Sequence, residues 1–169
     1  PNLEGEEMEV KVEGFSGGDR TSLDMPAEQM KLLERLKATC KPIVLVLTNG
    51  SALSIGWAKE NIPAVVEMWY PGEEGGNALA DVLFGRYNPA GRLPVTFYNS
   101  VNELPAFEDY SMEGRTYKYF RGKPLFPFGF GLSYTTFGYS GLQADKPVAG
   151  KNDTITVTLK VTNMGKVDG

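Results

Sequence analysis

The sequence predicts an α/β fold: a layered α/β sandwich with a mostly parallel sheet, followed by the beginning of an antiparallel β-sandwich. Three observations predict it. Two short runs, "IVLVL" and "AVVEMW", read as buried strands, and the first is apolar on both faces, as strands buried inside parallel sheets are. Segments with helical spacing precede, separate and follow them, and that alternation is the pattern of parallel α/β layers. Near the end, "DTITVTLKVTN" changes to strict alternation: Ile155, Val157, Leu159 and Val161 on one face, Thr154, Thr156, Thr158, Lys160 and Thr162 on the other. That is the mark of a half-buried antiparallel strand.

The elements follow in order. "GFSGG" reads as a loop. In "LDMPAEQMKLLERLKATC", Pro26 suits a first helical position and Glu28 the first turn. Met30, Leu32, Leu33 and Leu36 make an apolar stripe, so a helix is expected over residues 26–38. A buried strand over 43–47 comes next and runs into Asn49-Gly50. "LSIGWAKENIP" holds a short helix ending near Asn61, and a second buried strand covers 64–69. "GEEGGNALADVLFG" is a helix with Ala78, Leu79, Val82 and Leu83 as its stripe and Gly85 as its stop. From Arg86 to Phe137 the texture changes: five prolines and many aromatics with little helical periodicity. Loops of that length are commonly functional.

Composition narrows the chemistry. At 41% hydrophobic and 22% charged, the 169 residues suit a folded protein with a core. A net charge of −4 provides no basic footprint for nucleic acid and no polybasic patch for a membrane surface. The longest apolar run is far short of a membrane span. There is no histidine, and Cys40 is the only cysteine. The usual general base, a Cys–His nucleophile, a disulfide framework and a thiolate metal site are all excluded within this chain. No metal and no cofactor is expected. Carboxylates, Tyr, Ser, Lys and Arg remain.

Four glutamates crowd the first ten residues: Glu4, Glu6, Glu7 and Glu9. Acid-rich runs are usually solvated. The other reading is half of a two-carboxylate glycosidase-type site, in which like charge raises one carboxyl's pKa and suits it to act as an acid. "GGDRTSLD" has no Walker lysine and no leading strand, so Asp19-Arg20 reads as an ion pair bracing the loop. "YPGEEGGNA" lies where a strand passes into a helix, the edge at which parallel sheets place ligands. There Glu73 and Glu74 suit a capping role. "FPFGFGLSYTTF" combines aromatics with Gly129 and Gly131; it could stack on sugar rings, but a wedge between domains is favoured.

Together these stretches resemble the C-terminal region of family 3 glycoside hydrolases, the β-glucosidases and β-xylosidases. The resemblance rests on "GGDRTSLDMPAEQMKLLERL", "KPIVLVLTNGSAL", "YPGEEGGNALADVLFGRYNPAGRLPVTFY" and "GRTYKYFRGKPLFPFGFGLSYTTF", in the family's order over most of residues 14–139. "GRTYKYF" looks more like the β-xylosidase-type members. The resemblance implies that residues 1–132 are part of the α/β-sandwich domain, and that 133–169 are a linker and the first strands of a fibronectin type III-like domain. A (β/α)8-type barrel would lie upstream.

It further implies a retaining exo-acting β-glycosidase, with β-glucoside or β-xyloside oligosaccharides as substrates and the barrel as a domain partner. The nucleophilic Asp would sit on the barrel. The acid/base Glu would come from the loop just upstream of Asp19-Arg20, with Glu4 the first choice, Glu6 next and Glu7 third. The chain by itself would be inactive. Family placement implies the periplasm or the cell exterior. Two rivals stand beside this reading. A non-catalytic module binding carbohydrate or partners should hold its first strand and helix within the chain. A flavodoxin-like nucleotide-binding domain should show a phosphate-binding signature.

Overall fold

The computed structural model describes residues 15–16 and 19–169. Two compact units are present: one comprises the described residues up to Leu79 together with Arg92–Phe130, the other Ala80–Gly91 with Gly131–Gly169.

In the first unit, β1 (Phe15–Ser16) pairs antiparallel with β2 (Asp19–Arg20). The expected glycine loop is therefore flanked by a short hairpin pairing. Helix α1 (Ala27–Ala38) starts after Pro26, whose fixed φ and missing N–H suit a helix entrance. Only Leu33 of its stripe is buried; Leu32 and Leu36 stand exposed. Strand β3 (Val44–Leu47) leads through α2 (Gly56–Asn61) to β4 (Ala64–Glu67). The two strands pair in parallel, Val44 against Ala64 through to Leu47 against Glu67. A parallel pair needs such a crossover, because its strands start at the same end. Both strands end earlier or begin later than the apolar runs by one or two residues, and Val44 is exposed. Helix α3 (Gly75–Leu83), grouped with the second unit from Ala80 on, is followed by Gly85, which adopts φ +72° and donates to the Val82 carbonyl at 3.1 Å. That left-handed stop is the glycine's conformational role.

The core joins Leu33 of α1, Leu47 of β3, Ala58 and Ile62 around α2, and Phe97 and Leu125 from the proline-rich stretch. This stretch is mostly irregular, with one 3-10 turn (Val101–Glu103) and the short helix α4 (Thr116–Tyr119). It is nevertheless anchored. Phe97 and Phe126 exchange backbone hydrogen bonds of 2.9 and 3.3 Å, and Leu93 bonds to Phe130 and Gly129 at 2.8 Å each. Lys59 of α2 donates to the Leu125 carbonyl at 2.6 Å, with its ammonium 4.7 Å from the Phe126 ring centre. The aromatics of "FPFGFG" thus pack within this unit: Phe126 lies edge-on to Phe97 and tilted on Phe130, and Phe128 stacks on Tyr117.

In the second unit, β5 (Phe137–Ala144) pairs antiparallel with β6 (Val157–Asn163). The register shifts between Ser140 and Gln143, where Gly141 takes φ +63°. Asn88 ties the unit together: its amide donates to the Asp168 carbonyl, and its oxygen accepts from Ser133 Oγ and the Tyr134 N–H. The alternating pattern places a strand here, but two expectations are corrected. The strand starts at Val157; ahead of it, the Thr156 N–H bonds to the Asp145 side chain instead of to backbone, and Asp153 Oδ2 accepts from the Gly150 N–H in the turn before that. It is also not half-buried: every residue of β6 is exposed, the apolar set Val157, Leu159 and Val161 included.

Candidate functional site

Glu4, Glu6 and Glu7 lie outside the described residues. The described side-chain hydrogen bonds begin downstream of them, at Arg20. Arg20 donates to the Asp24 carbonyl at 2.5 Å. Ser22 Oγ donates to Asp24 Oδ2 at 2.7 Å and accepts from the Asp24 N–H, a self-closed turn of the kind short polar side chains make. The Ser54 N–H donates to the Leu23 carbonyl at 2.7 Å, Asp24 and Ser54 form a parallel bridge, and Ser54 Oγ donates to the Tyr98 carbonyl at 3.2 Å. The chain downstream of the acidic segment is therefore fastened to the loop that follows β3.

That loop begins at the carboxyl edge of the parallel pair. Asn49, just beyond β3, is buried and donates from Nδ2 to the Ser51 carbonyl at 2.6 Å and to Glu67 Oε2 at 3.3 Å. Glu67, the last residue of β4, accepts the Trp69 N–H on Oε1 at 3.0 Å. Burial pushes the Glu67 carboxyl above the usual carboxylate range, while hydrogen bonds from Trp69, Asn49 and Met68 pull it back. Trp69 sits at φ +53°, a left-handed conformation that is an outlier for so bulky a residue. Its ring meets Phe97 edge-on, with centres 6.2 Å apart. Next to it, Tyr70 covers Gly50 so closely that a Cβ there would come within 2.8 Å of the ring.

The turn into α3 is equally tight, since a Cβ on buried Gly75 would run into the Pro71 ring. Glu74 accepts from the Asn77 side-chain amide at 2.6 Å; this is a side-chain bond beside the helix entrance and not the backbone cap expected of it. Asn49 and Glu67 are the site residues that sequence reasoning missed. The signal was a lone acid inside the apolar run "AVVEMW", because a carboxylate half-buried at the end of a strand needs partners. Among the described residues, no group of three or more His, Cys, Asp or Glu is placed to hold a metal ion.

Residues 2–134 match the family model for the glycosyl hydrolase family 3 C-terminal domain. The chain belongs to glycoside hydrolase family 3. Over all 169 residues it is 51% identical to a xylan 1,4-β-xylosidase of Xylanibacter ruminicola, covering 19% of that protein. A periplasmic β-glucosidase of Salmonella typhimurium is 43% identical over 95% of this chain, which covers 23% of it. Among solved structures, a β-glucosidase from Erythrobacter marinus superposes with a TM-score of 0.75 at 41% identity, over 93% of this chain and 21% of that one. The family 3 chain thus spans about a fifth of the length of the relatives it matches. That solved structure shares its α/β fold. No helix among the described residues is long and apolar enough to cross a membrane.

Proposed function

We propose that this domain supplies the acid/base carboxylate of a retaining, exo-acting β-glycosidase that hydrolyses terminal β-linked glucose or xylose. On this reading residues 1–132 are the α/β-sandwich domain and 133–169 begin a fibronectin type III-like domain. The observation that carries the proposal is the 51% overall identity to a xylan 1,4-β-xylosidase over all 169 residues. The fastening of Arg20–Asp24 to Ser54 supports it, because a loop that carries a reacting group must be held at its foot.

The chemistry needs a second carboxylate, which this reading places on a barrel domain of the whole protein. That Asp attacks the anomeric carbon and the glycosidic C–O bond breaks, while the Glu of this domain gives its proton to the leaving oxygen. The same Glu, now ionised, takes a proton from water. The hydroxyl attacks the anomeric carbon and the Asp carboxylate departs, leaving the product with retained configuration. Glu4 is the first candidate and Glu6 the second. Exposed apolar side chains such as Leu32, Leu36 and Val44 in the first unit are surface suited to a neighbouring domain. The periplasm or the cell exterior is the compartment we assign, in line with the periplasmic relative.

The test is made in the whole protein with Glu4→Ala and Glu6→Ala separately. Loss of the acid/base slows substrates with poor leaving groups by orders of magnitude and largely spares glycosylation by nitrophenyl glycosides, which need no proton. One variant is expected to show that split. If both behave like the parent, the assignment to this segment is wrong.

A further inference from the structure

Within the first unit, the turn at residues 106–109 is built more firmly than a solvent loop requires. The Asp109 N–H closes it on the Ala106 carbonyl at 3.0 Å. One guanidinium nitrogen of Arg115 then holds both ends, donating to the Ala106 carbonyl at 2.7 Å and to the Asp109 carbonyl at 3.0 Å. The Ser111 N–H donates to Asp109 Oδ1 at 2.8 Å, and the Thr116 N–H donates to the Tyr98 hydroxyl at 2.9 Å. Between these ties Met112, Gly114 and Thr116 take φ of +65°, +71° and +59°. For methionine and for β-branched threonine that backbone is costly, and it persists only where the surroundings fix it.

What the clamped turn holds out is two aromatic rings. Phe107 and Tyr110 are each 84% exposed, more than any other large apolar side chain among the described residues. Carboxylates stand around them: residues 107–113 include Glu108, Asp109 and Glu113 and no Lys or Arg. Hydrogen bonds from the Ser111 side chain and backbone hold the Asp109 carboxyl below the usual carboxylate range. Glu108 and Glu113 form no ion pair among the described residues.

This mixture selects the occupant. A protein surface laid on the two rings would strip water from the carboxylates beside them, which have no cation to pair with there. A second copy of the chain would set the same charges against themselves, and an anionic polymer would be repelled. A neutral pyranose chain meets neither cost. Its C–H faces lie on the rings, its hydroxyls donate to the carboxylates, and water still reaches the charge. Aromatic surface with a few placed polar groups is the usual make-up of such a site, and a turn already fixed in place loses little freedom on binding.

We propose that the turn clamped by Arg115 binds neutral β-linked pyranose chains, with Phe107 and Tyr110 as stacking rings and Glu108, Asp109 and Glu113 as acceptors for hydroxyls. The choice of β-linked glucose or xylose chains rests on the glycosidase reading given above. The contact holds polymer and makes or breaks no bond.

The experiment is native electrophoresis of the whole protein through gels containing soluble mixed-linkage β-glucan, neutral arabinoxylan or polygalacturonate. The parent is expected to be retarded by at least one neutral polymer and not by polygalacturonate. In the double variant Phe107→Ala, Tyr110→Ala the apparent dissociation constant for that polymer is expected to rise at least about fivefold. Arg115→Met keeps both rings but frees the turn; a smaller rise is expected, with faster hydrogen exchange at 106–111. An unretarded parent, equal retardation of parent and double variant, or equal retardation by polygalacturonate overturns the proposal. Full binding by Arg115→Met overturns the clamp. The other occupants have their own signatures in the double variant. A lower urea midpoint with unchanged retardation marks rings covered by the rest of the whole protein, and a smaller oligomer marks a second copy; either result overturns the proposal. Hydrolysis of nitrophenyl glucoside and xyloside by the parent judges the glycosidase reading separately. A parent that hydrolyses them but shows no ring-dependent retardation refutes the turn alone. A parent that hydrolyses neither, yet is retarded through the rings, refutes the glycosidase reading and leaves the site standing.

Discussion

Phe97 is the residue on which the first unit's packing depends most, and its removal can be worked out from contacts. It is 2% exposed and is the largest fully buried side chain among the described residues. It meets Trp69 and Phe126 edge-on, each with centres 6.2 Å apart. Phe97→Ala keeps the backbone bonds to Phe126 but empties the space between β4 and the proline-rich stretch. Truncation of a buried Phe costs about 3–5 kcal/mol, of which two edge-to-face contacts account for roughly 0.5–1.5 kcal/mol each. With a urea dependence of about 2 kcal/mol per molar, the midpoint falls by about 2 M. Tryptophan fluorescence reads this unit directly: the chain has two tryptophans, Trp57 and Trp69, and both pack on the core. Phe97→Leu, which preserves most of the volume, is expected to lose less than about 1.5 kcal/mol. An alanine variant within about 1 kcal/mol of the parent would refute the reasoning, because it would mean that the stretch from Leu93 to Phe130 is not part of this core.

Other consequences follow from single contacts. Gly85→Ala forces a Cβ into φ +72° and is expected to lower stability by about 1–2 kcal/mol in the same urea assay. Gly75→Ala drives a methyl into Pro71 and should cost about 1–3 kcal/mol, with a matching fall in the midpoint. Lys59→Met retains the stem but removes the bond to the Leu125 carbonyl; a loss of about 1 kcal/mol is expected by thermal unfolding. Glu67 gives a pH dependence. Its folded carboxyl keeps its proton to higher pH than the unfolded one, so the native state binds more protons above the ordinary value of 4.5. Stability contributed by this group is full below that value and declines as pH rises through the raised one. Urea midpoints measured against pH should show the decline, and Glu67→Gln should remove it.

The elements themselves were legible because their signals are local. The apolar run "IVLVL" and the stripe around Leu33 each lie within one strand or helix, and the stop at Gly85 needs only a residue free to take φ +72°. What could not be read depends on partners far along the chain. Glu67 finds Asn49 18 residues back, and Lys59 finds Leu125 66 residues on. No periodicity announces such pairs. The alternation of β6 correctly predicts a pleated strand, but periodicity shows only that two faces differ and not that one is covered. The acidic opening belongs to a third kind: the acid/base reading of it came from the family pattern around it, since spacing alone favoured a solvated edge.

The central claim is that a glutamate of this chain is the acid/base of a retaining glycosidase. Azide trapping tests it most directly. In the whole protein, Glu4→Ala and Glu6→Ala are each turned over with a nitrophenyl glycoside in the presence of azide, and the products are identified by NMR. Without its base, the glycosyl-enzyme is attacked by azide at the anomeric carbon, and the enzyme's carboxylate departs. The account predicts faster turnover and a β-configured glycosyl azide from one of the two variants, and none from the parent. Absence of the azide product from both would contradict it.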